Sequence, residues 1–201
     1  MTDLTAPRRD NAQRNTQGVP GTVRRRACLL ALAASAWPLG ARANTPPDFG
    51  GLLGKVVLSG SKHFTFFGFA VYDASLWVEP GFRAQSYERH GFALDLLYQR
   101  DFSNADITRR SIDEMARLAT LTDERKQTWQ AWLRTAFPDV RKGDRITGIH
   151  RPTAGLTFLT NGRLTGRIED PEFARLFFGI WLSPDTSEPA LRQALLGTTT
   201  R

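Results

Sequence analysis

The chain has 201 residues with 27 Lys+Arg against 20 Asp+Glu, but the basic excess is not spread evenly: residues 1–43 carry seven of the basic and two of the acidic side chains. The remaining 158 residues hold 20 basic against 18 acidic groups. A net charge of +2 over that length withdraws the main support from a nucleic-acid or anionic-membrane reading, which the +7 of the whole chain would invite.

In chain order, Arg24-Arg25-Arg26 precedes the apolar run Ala27–Leu39, and Ala41-Arg42-Ala43 then supplies a small-x-small site. This pattern predicts a secretory signal peptide over residues 1–43, cleaved before Asn44, and a periplasmic mature chain. Arg25-Arg26-Ala27-Cys28-Leu29-Leu30 behind a polar leader also fits a twin-arginine signal. The run is shorter than the roughly 20 apolar residues a spanning helix needs, so no stable membrane anchor is expected after cleavage. Cys28, the only cysteine, leaves with the signal. The mature part, 44–201, is expected to be one domain held by a single core without disulfides.

Lys55–Ser59 and Phe64–Val78 read as strands rich in β-branched and aromatic residues. The longer one is apolar on both faces, which predicts cover on both sides, and Gly68 within it suggests a bulge or a close backbone approach. Phe92–Arg100 is a further strand, with Tyr98 and Arg100 continuing the stripe of Phe92, Leu94 and Leu96. Ser103 with Asp106 three residues later opens a helix carrying Ile107, Ile112, Met115 and Leu118 on one side. A second helix runs from Asp123 to Phe137, capped by Thr122 and stopped by Pro138. Residues 144–150, 156–160 and 163–168 form a meander, with Asn161-Gly162 as a two-residue hairpin turn. Asp170-Pro171 then starts a helix with Phe173, Leu176, Phe177, Ile180 and Trp181 along one stripe, and a short helix spans Ser187 to Gly197. Strands first, helices in a block, then a meander and more helices is an α+β order, with an antiparallel sheet covered by helices.

The chemistry-bearing motifs are few. His63, His90 and His150 have no metal-ligand spacing, so no metal site is expected. No glycine-rich phosphate loop lies between a strand and a helix, no G-x-S-x-G occurs, and no cofactor is implied. What remains are polar side chains on otherwise apolar elements: Tyr72, Asp73, Tyr98, Arg100 and Arg109. They suit a cleft in which Arg100 or Arg109 holds an anionic head group while Tyr72 and Tyr98 orient the rest of a small hydrophobic or amphipathic ligand. Alternatively the tyrosines turn their hydroxyls to water and Asp73 pairs at a sheet edge.

The segments GFAVYDASLWV, LLYQRDFSNADITRRSIDEM, KGDRITGIHRPTAGLTFLTNGRLTGRI and DPEFARLFFGIWLSPDTSEPALRQALLG, in that order, resemble the bacterial exported branch of the chalcone isomerase-like proteins. The resemblance implies an open-faced β-sandwich, a large antiparallel sheet backed by helices with a ligand cleft between the layers. Plant members close a flavanone ring with an arginine, a threonine, a tyrosine and an asparagine. An ungapped match of Lys55–Val78 sets the arginine at Lys55 and the threonine at Phe67. The following segment sets the tyrosine near Phe102 and the asparagine near Arg109. Loss of one positioned donor of this kind costs roughly 100- to 1000-fold in rate. Binding without turnover is therefore the leading expectation, as in the fatty-acid-binding relatives of that fold, with no catalytic residue assigned. An isomerase or intramolecular lyase acting on a phenolic or enone substrate, with Lys55, Tyr98, Arg100 or Arg109 supplying the electrostatics, is the second. On this reading Tyr72 borders the cleft and Asp73 braces the sheet. A third possibility, a partner-binding face made of Trp129, Trp132 and Trp181, competes with their placement in the core at helical spacing.

Overall fold

The computed structural model describes residues 46–197, so the expected signal peptide lies outside the described residues. Six strands, β1 (Val57–Phe66), β2 (Phe69–Val78), β3 (Phe92–Tyr98), β4 (Arg145–Arg151), β5 (Gly155–Thr160) and β6 (Arg163–Ile168), form one antiparallel sheet in sequence order. Helices α1 (Asn104–Leu118) and α2 (Asp123–Ala136) are inserted between β3 and β4, while α3 (Pro171–Leu182) and α4 (Pro189–Leu195) follow β6. The architecture is α+β, an open sheet with its helices on one face.

Each long helix starts where local chemistry dictates. The Ser103 hydroxyl accepts from Asp106 N at 3.1 Å, and that of Thr122 accepts from Arg125 N at 3.2 Å. Asp170 Oδ1 accepts from both Glu172 N and Phe173 N at 3.0 Å ahead of Pro171. Each cap satisfies a donor the helix itself cannot, worth about 1 kcal/mol.

Strand alternation puts one apolar row after another on the covered face. Val78, Phe92, His150, Leu156 and Ile168 are register partners, as are Leu76, Leu94, Gly148, Phe158 and Gly166. α3 lies on these rows with Phe178 against Phe92 (4.7 Å between centroids) and Phe177 against Phe158 (5.0 Å). On the opposite face Asp95, buried among strands, accepts from Thr147 Oγ1 at 2.7 Å and pairs with Arg145. Phe49, Leu52, Leu53 and Val56 of the leading segment pack over Trp77, Ala93 and Ile149 there.

The structure corrects the strand expected over Phe64–Val78. It is a hairpin: β1 runs on through Gly60–Lys62 to Phe66, and Phe67-Gly68 turns the chain into β2. Phe67 (φ 48°) and Gly68 (φ 80°) both take the left-handed conformation of a tight hairpin turn, as Asn161 (49°) and Gly162 (78°) do. Gly68 is thus a turn residue and not a bulge. The continuous apolar run hid the turn because a phenylalanine occupies the position where asparagine is usual. Gly60 sits at a bulge under α4, whose backbone comes so close that any Cβ there would overlap the Ala194 carbonyl oxygen. The 3-10 segment Ala84–Arg89 had no periodic signal in the sequence. Trp129 and Trp181 are buried and Trp132 packs against the same core, so the three indoles form no exposed patch.

Two stability outcomes follow. Phe158→Ala, which removes a ring touched by Phe137, Phe177 and Trp132, should cost about 3–5 kcal/mol in urea unfolding. Phe67→Asn should instead stabilise the protein, by up to about 1 kcal/mol, because asparagine tolerates positive φ better than an aromatic side chain.

Candidate ligand-binding cavity

The helical layer covers the Phe158 end of the sheet tightly and leaves a hollow of about 730 Å³ at the end nearest the β1–β2 turn. Its floor is the inner face of the sheet at Tyr72, Leu96, Tyr98 and Ile146. Its roof comes from Ile107 and Ser111 of α1, Phe177, Ile180 and Trp181 of α3, and Leu191 of α4. Of the lining residues, Phe66, Phe69, Arg100 and, around the start of α1, Asp101, Asp106 and Arg109 are exposed, and this solvent-facing side is its mouth.

Strand pairing sets the floor. Phe64, Tyr72 and Tyr98 are successive register partners on β1, β2 and β3. Their rings meet in sequence, Phe64 stacked on Tyr72 at 5.1 Å and Tyr72 edge-on to Tyr98 at 6.0 Å, and Tyr98 in turn meets Phe102 at 5.7 Å. Trp181 Nε1 donates to the Tyr72 hydroxyl at 3.0 Å, tying roof to floor. The Tyr98 hydroxyl has no hydrogen-bond partner among the described residues, which leaves it for whatever fills the hollow. Burial, in both cases the largest cause, pushes the Tyr72 and Tyr98 phenols far above their ordinary range, so each is a neutral hydroxyl at any physiological pH.

The arginines differ in their partners. Arg100, just past β3, lies over the Phe69 and Phe102 rings at 5.6 and 5.5 Å from their centroids and has no carboxylate within ion-pair distance among the described residues. Arg109 also lines the hollow, but its guanidinium is held 2.8 Å from Asp106 and is largely in water. The next residue, Arg110, was not singled out in the sequence; it pairs with Glu114 at 2.7 Å and lies over Phe66. Glu114 is buried despite its charge, and its second oxygen accepts from Ser187 Oγ at 2.8 Å, joining α1 to the segment that leads into α4. The i,i+4 spacing of Arg110 and Glu114 on an otherwise apolar helix side was the available signal.

Tyr72, Tyr98, Arg100 and Arg109 therefore line a single cavity. Asp73 faces away from it, accepting from Gln99 Nε2 and lying 2.6 Å from His63 Nδ1, and so links three consecutive segments. Lys55 precedes β1, is exposed, and is not part of the lining, so the ungapped match that set the family's arginine there does not bring that charge to the cavity. Among the described residues no cluster of three or more His, Cys, Asp or Glu has metal-binding geometry. The arrangement offers a largely apolar interior with the paired Glu114 and the Glu188 carboxylate in its lining, one free hydroxyl on its floor, and Arg100 without a carboxylate partner among the described residues.

The third tyrosine, Tyr87, lies outside the cavity but is also buried, and burial with the nearby Glu88 carboxylate pushes it up to about 12. Because the folded phenols hold their protons above the unfolded value of about 10, these groups leave stability unchanged below that pH and remove it as pH rises further. Ultraviolet titration of the native protein should show no phenolate near pH 10, and the three should ionise together as the protein unfolds in alkali.

Comparison with known proteins fits this geometry. A protein of Haemophilus influenzae, itself uncharacterized, is 30% identical over 140 residues, covering 70% of this chain and 67% of its own. A fatty-acid binding protein of Arabidopsis thaliana superposes with a TM-score of 0.55 at 12% identity, over 73% of this chain and 89% of that one, and so shares the fold. The pattern of the family described as chalcone isomerase-like matches residues 55–197, from just ahead of β1 to the close of α4, and the chain belongs to that family.

Proposed function

We propose that this protein binds an amphipathic molecule with an apolar tail and an anionic head, of the fatty-acid type, and does so without turning it over. The carrying observation is the cavity: about 730 Å³, walled by apolar and aromatic side chains, with the unpaired Arg100 guanidinium at its mouth. That size falls within the roughly 300–1,000 Å³ of small-molecule pockets. A carboxylate at the mouth would give Arg100 the partner it lacks, and the Tyr98 hydroxyl would donate to a second polar atom of the ligand or a bridging water. The fatty-acid binding described for the Arabidopsis structure supports the ligand class. The signal-peptide pattern supports a periplasmic setting.

The second reading, an isomerase or intramolecular lyase, draws on the same free Tyr98 hydroxyl, since a neutral donor on the floor suits an enone carbonyl or a developing enolate. Dodecanoate titrated calorimetrically into the protein should bind one to one. Arg100→Ala should weaken it about ten- to a hundred-fold, the worth of a charged hydrogen bond. Absence of binding by dodecanoate and by flavonoids would refute the carrier. Conversion of chalcones, lost in Tyr98→Phe, would establish the enzyme in its place.

A further inference from the structure

The β1–β2 hairpin ends in a feature that folding does not account for. Phe66, Phe67 and Phe69 are 44%, 86% and 64% exposed, and they are three of the five large hydrophobic side chains that stand out in water among the described residues. Phe67 is unfavourable there twice over, with an aromatic side chain at positive φ and its ring in solvent. The other tight hairpin turn of the same sheet, with nearly identical φ angles, uses Asn161-Gly162.

From this tip we infer that the protein docks on a lipid bilayer, the phenylalanines entering the acyl boundary and the Arg100 guanidinium meeting a lipid phosphate. Arg110 lies over Phe66 and Arg100 over Phe69, so each guanidinium rides on a tip ring, as long cationic side chains do at an interface between water and hydrocarbon. Of the carboxylates that line the hollow, Asp106 holds Arg109, Glu114 holds Arg110 from within the helical layer, Asp101 accepts from Lys142 N at 2.8 Å, and neither Asp101 nor Glu188 is within ion-pair distance of Arg100. That leaves Arg100 as the uncompensated charge for an anionic head group. The near-neutral balance of residues 44–201 hides this, because what matters is a local apolar wedge with a cation beside it.

A second copy of the chain is the less fitting occupant. Three ring side chains on one turn are far short of the roughly 800 Å² per partner that a stable protein interface buries. The cavity mouth opens among Phe66, Phe69 and Arg100, so docking through the tip sets the opening on the acyl chains. A ligand then passes between bilayer and cavity without its tail crossing water. Only this last purpose rests on the carrier reading; the docking itself rests on the tip.

Flotation with phosphatidylethanolamine/phosphatidylglycerol vesicles tests it in the full chain. Phe67→Asn should weaken vesicle binding about ten-fold, the worth of one buried aromatic side chain, without lowering Tm. Because the run 27–39 is itself lipid-seeking, a readout local to the tip is added: in Phe67→Trp the introduced indole should shift blue on vesicles and be quenched by brominated chains. Equal vesicle binding by the wild type and Phe67→Asn, or an unshifted indole, overturns the inference. So does a lipid-free dimer that Phe67→Asn abolishes, which would assign the tip to a second copy. Dodecanoate binding without vesicle docking leaves the carrier standing and removes this inference; docking without dodecanoate binding does the reverse.

Discussion

The cavity depends on a row of rings that cannot slump. Phe64, Tyr72 and Tyr98 are fixed side by side by strand register, each in contact with the next, and Trp181 reaches from the helical layer to hydrogen-bond the middle one. Close packing is the ordinary state of a protein interior, and flexible aliphatic side chains at these positions would settle into the gap. Aromatic rings have two torsions and set shapes, so a floor of rings propped from above keeps its volume. The same row ends at Phe102 and Arg100, which is why the polar end of the hollow lies at one mouth.

Charge pairing then sorts three neighbouring arginines into different tasks. Arg109 is spent on Asp106 in water and Arg110 on the buried Glu114, whose other oxygen takes a hydroxyl from Ser187. A buried carboxylate is costly unless its lone pairs are met, and here a guanidinium and a hydroxyl meet them while tying α1 to the approach of α4. Arg100, with only ring faces beneath it, keeps an unanswered charge. A largely apolar interior whose buried carboxylate is already answered, with an unpaired cation at its rim, discriminates by shape inside and by charge outside, the pattern expected of a site that orients an amphipathic guest.

The ends of the sheet are also treated differently. Toward Phe92 and Phe158 the rows are sealed by α3, with Gly148 leaving room for Phe178. Toward the β1–β2 turn the sheet runs past its cover, and the residues there carry apolar surface into solvent at a backbone cost. Such local inconsistency between residue and conformation marks function more often than folding.

The sequence by itself determined the α+β order, the helix starts at Ser103, Thr122 and Asp170, the Asn161-Gly162 turn and the family, because caps, turns and periodicity act over a few residues. It also singled out Tyr72, Tyr98, Arg100 and Arg109 as polar groups out of keeping with their elements. Only the tertiary structure decided that FTFFGFAV folds back on itself, since a phenylalanine in a turn position reads as strand until its partner strand is known. Only it separated the paired arginines from the unpaired one, and showed that Glu114 and Trp181 shape the cavity, because ion pairs and prop contacts join residues distant in the chain. Volume itself is such a property: no local pattern of side chains says whether the space between two layers is filled.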